Sequence, residues 1–173
     1  MTLSYTFSAS RFTKLFSFLI IFCLLVNAVP AAEIHGKIVG VTDGDTVTVL
    51  DDQDKVPFRV RVSHIDAPER SQAFGQKAKE KLSELVFQKE AVIRFDKIDQ
   101  YGRIVGRVFV DNKDASLLML EAGLAWHYKK YSDDKNYAEA EVRAQKAKLG
   151  LWKDPNPLPP WEFRQQQRAK SGK

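Results

Sequence analysis

The sequence is poor in the side chains that cross-link a fold or bind soft metals. It holds one cysteine, Cys23, and three histidines, His35, His64 and His127, far apart along 173 residues. A lone cysteine cannot close an intrachain disulfide, and scattered histidines point away from zinc or copper. A strong excess of charge is lacking too: 27 Lys and Arg face 22 Asp and Glu, leaving +5. That balance suits a polyanionic partner without demanding one. No internal repeat is visible, and the nearly unbroken apolar run LFSFLIIFCLLV, Leu15 to Val26, is short. A twelve-residue helix spans ~18 Å against a hydrocarbon core of ~30 Å, which argues against a permanent membrane span.

The flanks of that run give it another meaning. Arg11 and Lys14 precede it and the small residues of NAVPAAE follow it, the three-part layout of a secretory signal peptide with cleavage expected after Ala31 or Ala32. Residues 1–32 are therefore expected to be removed, taking Cys23 and two positive charges with them and leaving +3. The predicted location is periplasmic or extracellular. Export usually brings disulfides to small domains, but the roughly 141 residues that remain can bury enough apolar surface to fold without them.

Strand and helix periods then alternate along the chain. Ile34 to Val41 reads as a strand, TDGDT (42–46) as a hairpin turn, and Thr46 to Leu50 as the return strand. After the polar turn DDQDK (51–55), Val56, Phe58, Val60 and Val62 alternate with Pro57, Arg59, Arg61 and Ser63, a third strand with one apolar and one basic face. Ala78, Leu82, Leu85 and Val86 recur at helical spacing, predicting a helix from about Ala73 to Gln88. Strands follow at 91–95 and 104–110, joined by DKIDQYGR, and then a short helix in DASLLMLEAG with Asp114 as N-cap and Gly123 as stop. A last helix is expected from about Asn136 to Leu149. The pattern predicts an α+β domain over 33–153: a five-stranded, oligonucleotide-binding-type β-barrel with three helices. Residues 154–173 form a proline-rich, basic tail without periodicity, expected to lie along the domain or to be disordered.

Two acidic stretches stand out against this frame. In TDGDT, Asp43-Gly44 suffices for a turn, and Asp45 is surplus to it. In HIDAPE (64–69), Pro68 stiffens the corner after the third strand and holds Asp66 and Glu69 off any regular element. Taken singly, these stretches also fit a plain hairpin and a polar loop. In an antiparallel meander, however, both lie at one end of the sheet, so that Asp45, Asp66 and Glu69 can converge. Clustered carboxylates need a cation or a proton among them. Oxygen donors alone favour a hard ion, calcium or magnesium.

Arginines supply the complementary half. Arg61 lies on the polar face of the third strand and Arg103 closes the DQYGR turn. A guanidinium offers a planar fork of donors matched to phosphate oxygens. With a divalent cation, three carboxylates and two arginines, such a site keeps a net positive charge and can stabilise a pentacoordinate phosphorane. Glu69 is the better candidate for the base that acts on water, since Asp45 and Asp66 are shorter and committed to the ion.

The series DGDT, RVRVSHIDAPE, DQYGR, EAGLAW and AQKAKLGLW, in that order from about Gly36 to Trp152, resembles the staphylococcal nuclease (thermonuclease) family. The resemblance implies a barrel with three helices, use of calcium, and cleavage of DNA and RNA to 3′-phosphates. Carried over by motif, Asp45, Asp66 and the backbone carbonyl of Ala67 resemble the calcium contacts. Glu69 resembles the residue assigned as general base, and Arg61 and Arg103 resemble the arginines on the scissile phosphate. Tyr101 and Tyr131 are candidate substrate contacts, and a monomer is expected. There are departures: the loop after Glu69 is short, Gln100 stands where many relatives have Lys or Arg, and Lys129 stands where a substrate-facing tyrosine is expected. His64 replaces a more usual small residue and is read as a packing or solubility choice rather than a catalytic histidine. Two other classes compete, a non-catalytic nucleic-acid-binding barrel and a glycosidase. Three acids facing a polyanion count against the first, and the arginine pair against the second.

Overall fold

The computed structural model describes residues 32–172. The predicted signal peptide therefore lies outside the described residues, apart from Ala32. Five strands build the barrel: β1 (Ala32–Asp43), β2 (Thr46–Asp51), β3 (Pro57–Val62), and, after two-residue β4 (Ile65–Asp66), β5 (Glu90–Ile98) and β6 (Ile104–Val110). The antiparallel order β3-β2-β1-β5-β6 is closed by a parallel pairing of β3 with β6, Val60 to Ile104, Arg61 to Val105 and Val62 to Gly106. Closure removes the open sheet edges.

The long first strand makes closure possible. Its N-terminal half, Ala32–Lys37, pairs with β5, while Gly36–Asp43 pairs with β2 through two register shifts. Such bulges add twist and let one strand serve both walls. At Gly36 a Cβ would run into the Leu50 carbonyl, so glycine permits the tight crossing.

Alternation along these strands points Ile38, Val47, Val49, Val60, Val62, Ile93 and Val108 into a fully buried core. Helix α1 (Gly75–Val86) caps it with Ala78, Leu82 and Val86. After two-residue β7 (Lys113–Asp114), helix α2 (Ala115–Glu121) is capped as expected by Asp114, whose carboxylate accepts from the amides of Ser116 and Leu117 at 2.8 and 3.4 Å. Two-residue β8 (Trp126–His127) pairs with β4, and α3 (Lys135–Lys146) follows, capped by Asp134. It ends three residues before the predicted Leu149, because Lys148 takes a left-handed backbone with φ 52° and a 3-10 turn follows at Gly150–Lys153.

The tail departs from expectation. Instead of an irregular end, residues Pro160–Ser171 form a fourth helix, α4. Pro160 sits at its first turn, where a missing N–H costs nothing, and Gln165, Gln166, Gln167, Arg168, Ala169 and Lys170 are good helix formers. Only its beginning is docked: Pro160 is buried and Trp161, Phe163 and Arg164 are half-buried, whereas Gln165 to Gly172 are exposed. Among the described residues no helix is long and apolar enough to cross a membrane.

Candidate active site

The β1–β2 hairpin turns on Gly44-Asp45, one residue later than the Asp43-Gly44 pair, since Asp43 and Thr46 are ladder partners. Neither turn residue has a positive φ, so Asp-Gly does not supply the mirror-image turn it often makes. Asp43 instead accepts the amide of Asp45 at 3.1 Å, an Asx-type turn that sets the direction of the next side chain. The Asp45 carboxylate is thereby aimed inward and is 7% exposed. It accepts from the Thr46 hydroxyl at 3.1 Å and from the Ala67 amide at 2.8 Å.

That last bond joins the two acidic stretches, as the meander argument required. Asp66 belongs to β4, paired with Trp126 of β8, and is completely buried. Between the two aspartates lies Arg61. One terminal nitrogen, Nη2, donates to Asp66 Oδ1 at 2.8 Å, and the other, Nη1, forms an ion pair with Asp45 Oδ2. Burial lowers the proton affinity of Arg61, Asp66 raises it, and Arg103 lowers it again. An arginine nonetheless stays charged in proteins, so the buried trio carries two negative charges and one positive.

Arg103 reaches this neighbourhood through barrel closure. The parallel β3–β6 ladder sets Arg61 opposite Val105, two residues beyond Arg103. Asp99 fixes it there: one carboxylate oxygen receives the backbone amides of Tyr101 and Arg103 at 2.9 and 3.0 Å, and the other receives the guanidinium at 2.8 Å. Burial works against the Asp99 carboxylate, but bonds from Arg103 and Tyr101 outweigh it and hold its pKa below the usual range.

Glu69 sits at the rim and is about a third exposed, with its side chain at 37%. Its loop is a compact turn in which Gln72 donates its amide to the Glu69 carbonyl at 2.8 Å and accepts the Glu69 amide through its side chain at 3.1 Å. At Gly75 a Cβ would strike that same carbonyl, so the start of α1 presses directly on the Glu69 backbone. Both candidate substrate contacts are exposed: Tyr101 is 71% exposed beside Arg103, and Tyr131 is 59% exposed with Lys97 and Lys130 over its ring.

Lys129 has a structural partner. Its ammonium meets Glu141 at 3.0 Å, and the other oxygen of that buried carboxylate accepts the His127 amide at 2.9 Å. His64 stacks on Tyr137 at 4.7 Å, which agrees with a packing role.

One member of the site lay beyond the motifs. Arg164 of α4 reaches Asp66 Oδ1 at 3.2 Å, Asp66 Oδ2 at 2.7 Å and Glu69 Oε1 at 2.7 Å. Burial opposes its charge, but the bonds to Asp66 and Glu69 dominate and push its pKa upward. The available signal was weak: an arginine on the same helical face as Trp161, in a segment read as a tail.

The three carboxylates are thus bridged by arginines. Among the described residues no three His, Cys, Asp or Glu side chains converge closely enough to hold an ion by themselves. The donors that do meet, two aspartate carboxylates beside Ala67, are all oxygen. That chemistry fits a hard divalent ion completing its shell with water and substrate oxygens.

A closed barrel of this type is an oligonucleotide-binding-type fold, here with acids and arginine forks gathered as a candidate phosphate-handling site. Sequence comparison agrees: residues 59–154 match the model of the family described as "Staphylococcal nuclease homologue". The chain belongs to the staphylococcal nuclease family. It is 41% identical over 159 residues to a Haemophilus influenzae protein named "Uncharacterized endonuclease", covering 92% of this chain and 88% of that one. A Shigella flexneri protein named "Micrococcal nuclease" is 37% identical over 153 residues, 82% of this chain and 87% of its own. An Escherichia coli protein named "Uncharacterized endonuclease" is 39% identical over 134 residues, 77% and 86% of the two chains.

Proposed function

We propose that this protein is an exported, calcium-dependent nuclease that acts as a monomer and hydrolyses phosphodiester bonds of DNA and RNA to leave 3′-phosphate ends. The observation that carries it is the Arg61 fork held between Asp45 and Asp66 beside Arg103. The family membership and the endonuclease and nuclease names of the relatives support the same chemistry. The layout of residues 1–32 supports export.

Asp45, Asp66 and the Ala67 carbonyl are the groups that would hold calcium, which when bound supplies positive charge to a phosphoryl oxygen. Glu69, at the solvent rim, takes a proton from water as the water oxygen bonds to phosphorus. The bond from phosphorus to the 5′-oxygen breaks, and the departing oxygen acquires a proton from solvent. Arg61 and Arg103 orient the phosphate and oppose the extra charge of the five-coordinate species, donors whose loss costs ~10²–10³ in rate.

Glu69→Gln tests this directly. Turnover of single-stranded DNA, duplex DNA and RNA, with calcium, magnesium or EDTA and with product ends identified, is expected to fall ~10²–10⁴-fold. Near-normal cleavage by the variant would refute the base, and cleavage in EDTA would refute the metal. Binding without cleavage by the wild type in calcium would establish a nucleic-acid-binding barrel instead.

A further inference from the structure

We propose that Arg164 is a built-in competitor of the metal ion. With α4 docked, its guanidinium fills the cation position between Asp66 and Glu69, and metal enters when Arg164 withdraws. This rests on the assignment of Asp45 and Asp66 as metal ligands.

The occupancy of Asp66 carries the inference. Its Oδ1 accepts from both Arg61 at 2.8 Å and Arg164 at 3.2 Å, and its Oδ2 accepts from Arg164 at 2.7 Å. The carboxylate is completely buried, so no solvent-facing oxygen is left over. The same guanidinium takes Glu69 Oε1 at 2.7 Å, occupying one oxygen of the candidate base as well. One side chain therefore engages both the ligand and the base. A guanidinium offsets part of the charge of these carboxylates but has no vacant orbital with which to polarise a phosphoryl oxygen. Its positive charge also repels a divalent cation seated beside Asp66. The docked arrangement sets two guanidinium charges among three carboxylates and leaves no room for metal at Asp66.

The attachment of α4 is of a kind that can release. Arg164 lies one turn beyond Trp161, whose ring stacks on Tyr128 at 5.7 Å with 3° between planes and meets Trp126 edge-on at 5.7 Å. Beyond Arg164 the helix is exposed, so a single turn holds it. The run Pro155 to Pro160 gives a stiff connector, and Gln72, already bonded to Glu69, donates to the Leu158 carbonyl. The latch is thus wired to the loop that carries the base. Two mutually exclusive cations on one carboxylate make a coupled equilibrium: whatever undocks α4 tightens metal binding, and metal binding undocks α4.

Calorimetric titration of the purified protein with calcium alone, without nucleic acid, tests this. Arg164→Gln removes the competing charge, and Trp161→Ala loosens α4 without touching a carboxylate. Both are expected to bind calcium about 10-fold more tightly than wild type, with Arg164→Lys, which loses the two-pronged fork, in between. Calcium should also shift the tryptophan emission of the wild type to the red as Trp161 leaves Tyr128, and should do so less in Arg164→Gln. Wild-type binding with equal or weaker affinity in both variants would overturn the competition and leave the metal assignment standing. No calcium binding in any of these proteins, or wild-type affinity in Asp66→Asn, would overturn the metal assignment and the competition with it.

Discussion

Gly44 lies so close to Ala67 that a Cβ on it would stand 2.6 Å from the Ala67 Cβ, and 2.7 Å from that of Ala78. The glycine of the first acidic stretch is therefore required by contact. It lets the turn bearing Asp45 press against the corner bearing Asp66 and against α1, and the Asp45–Ala67 hydrogen bond of 2.8 Å depends on that approach. Gly44→Ala is expected to cost about 1–3 kcal/mol of stability through overpacking. It should also reduce turnover more than substrate affinity, because it separates the two carboxylates. Urea unfolding and steady-state kinetics check the two effects, and wild-type values in both would show that the turn can yield.

Arg61 has a structural duty beside its chemical one. Removing it leaves the buried carboxylates of Asp45 and Asp66 without their shared counter-charge. Breaking such a buried pair from one side typically costs ~3–5 kcal/mol. Arg61→Ala is thus expected to lose activity and also to melt at lower temperature, with the melting deficit shrinking when calcium is added. Thermal unfolding with and without calcium distinguishes this from a role confined to the transition state, for which both melting curves would match wild type.

The contrast between Asp45 and Arg164 shows what the sequence could carry. Asp45 was legible because the barrel is a meander of regular strands, and period-two alternation places successive turns at known ends of the sheet. Arg103 was legible as a turn residue, but its place beside Arg61 depends on the parallel β3–β6 pairing, a long-range contact that no local pattern encodes. Arg164 was lost for another reason. A helix docked by one turn needs no apolar stripe, so α4 lacks the periodic signal that revealed α1. Its proline-rich approach looked like disorder, although Pro160 at the first helical turn marks a start. The Trp126, Trp152, Trp161 and Tyr128 cluster that anchors it draws from three separate segments.

Gln72 joins two parts of the molecule that the motifs treat separately. Its side chain accepts the Glu69 amide and donates to the Leu158 carbonyl, tying the base to the approach of α4. Gln72→Ala removes two hydrogen bonds at a partly exposed site, for an expected loss of about 1–2 kcal/mol. Glu69 should become less well placed, so kcat falls several-fold at nearly constant KM. Gln72→Glu keeps the acceptor but loses the donor, and is expected to recover the positioning of Glu69 without restoring the link to Leu158. Equal kcat losses in the two variants would show that the Glu69 amide bond is not what places the base.

Two imidazoles, His64 and His127, set an acid limit on stability. Burial pushes the pKa of His64 below its ordinary value; Arg107 and His127 lower it further, while Asp114 and Asp134 pull it up. Burial likewise lowers His127, against Glu141 and Asp134 and with Lys129. Both are favoured neutral in the folded chain but titrate near ~6.5 when unfolded. Between the lowered folded values and ~6.5 the unfolded chain binds more protons, so stability rises with pH in that window. The contribution is complete above ~6.5 and is lost as the pH falls toward the folded values. The melting temperature is therefore expected to drop between pH 7 and 5. His64→Asn removes one of the two titrating groups and suits the positive backbone φ of 66° at this position. It also loses the stack on Tyr137, which lowers stability by a similar amount at every pH. The variant's melting curve against pH should lie below that of wild type and be less steep. A parallel displacement, with the slope unchanged, would assign the acid sensitivity to other groups.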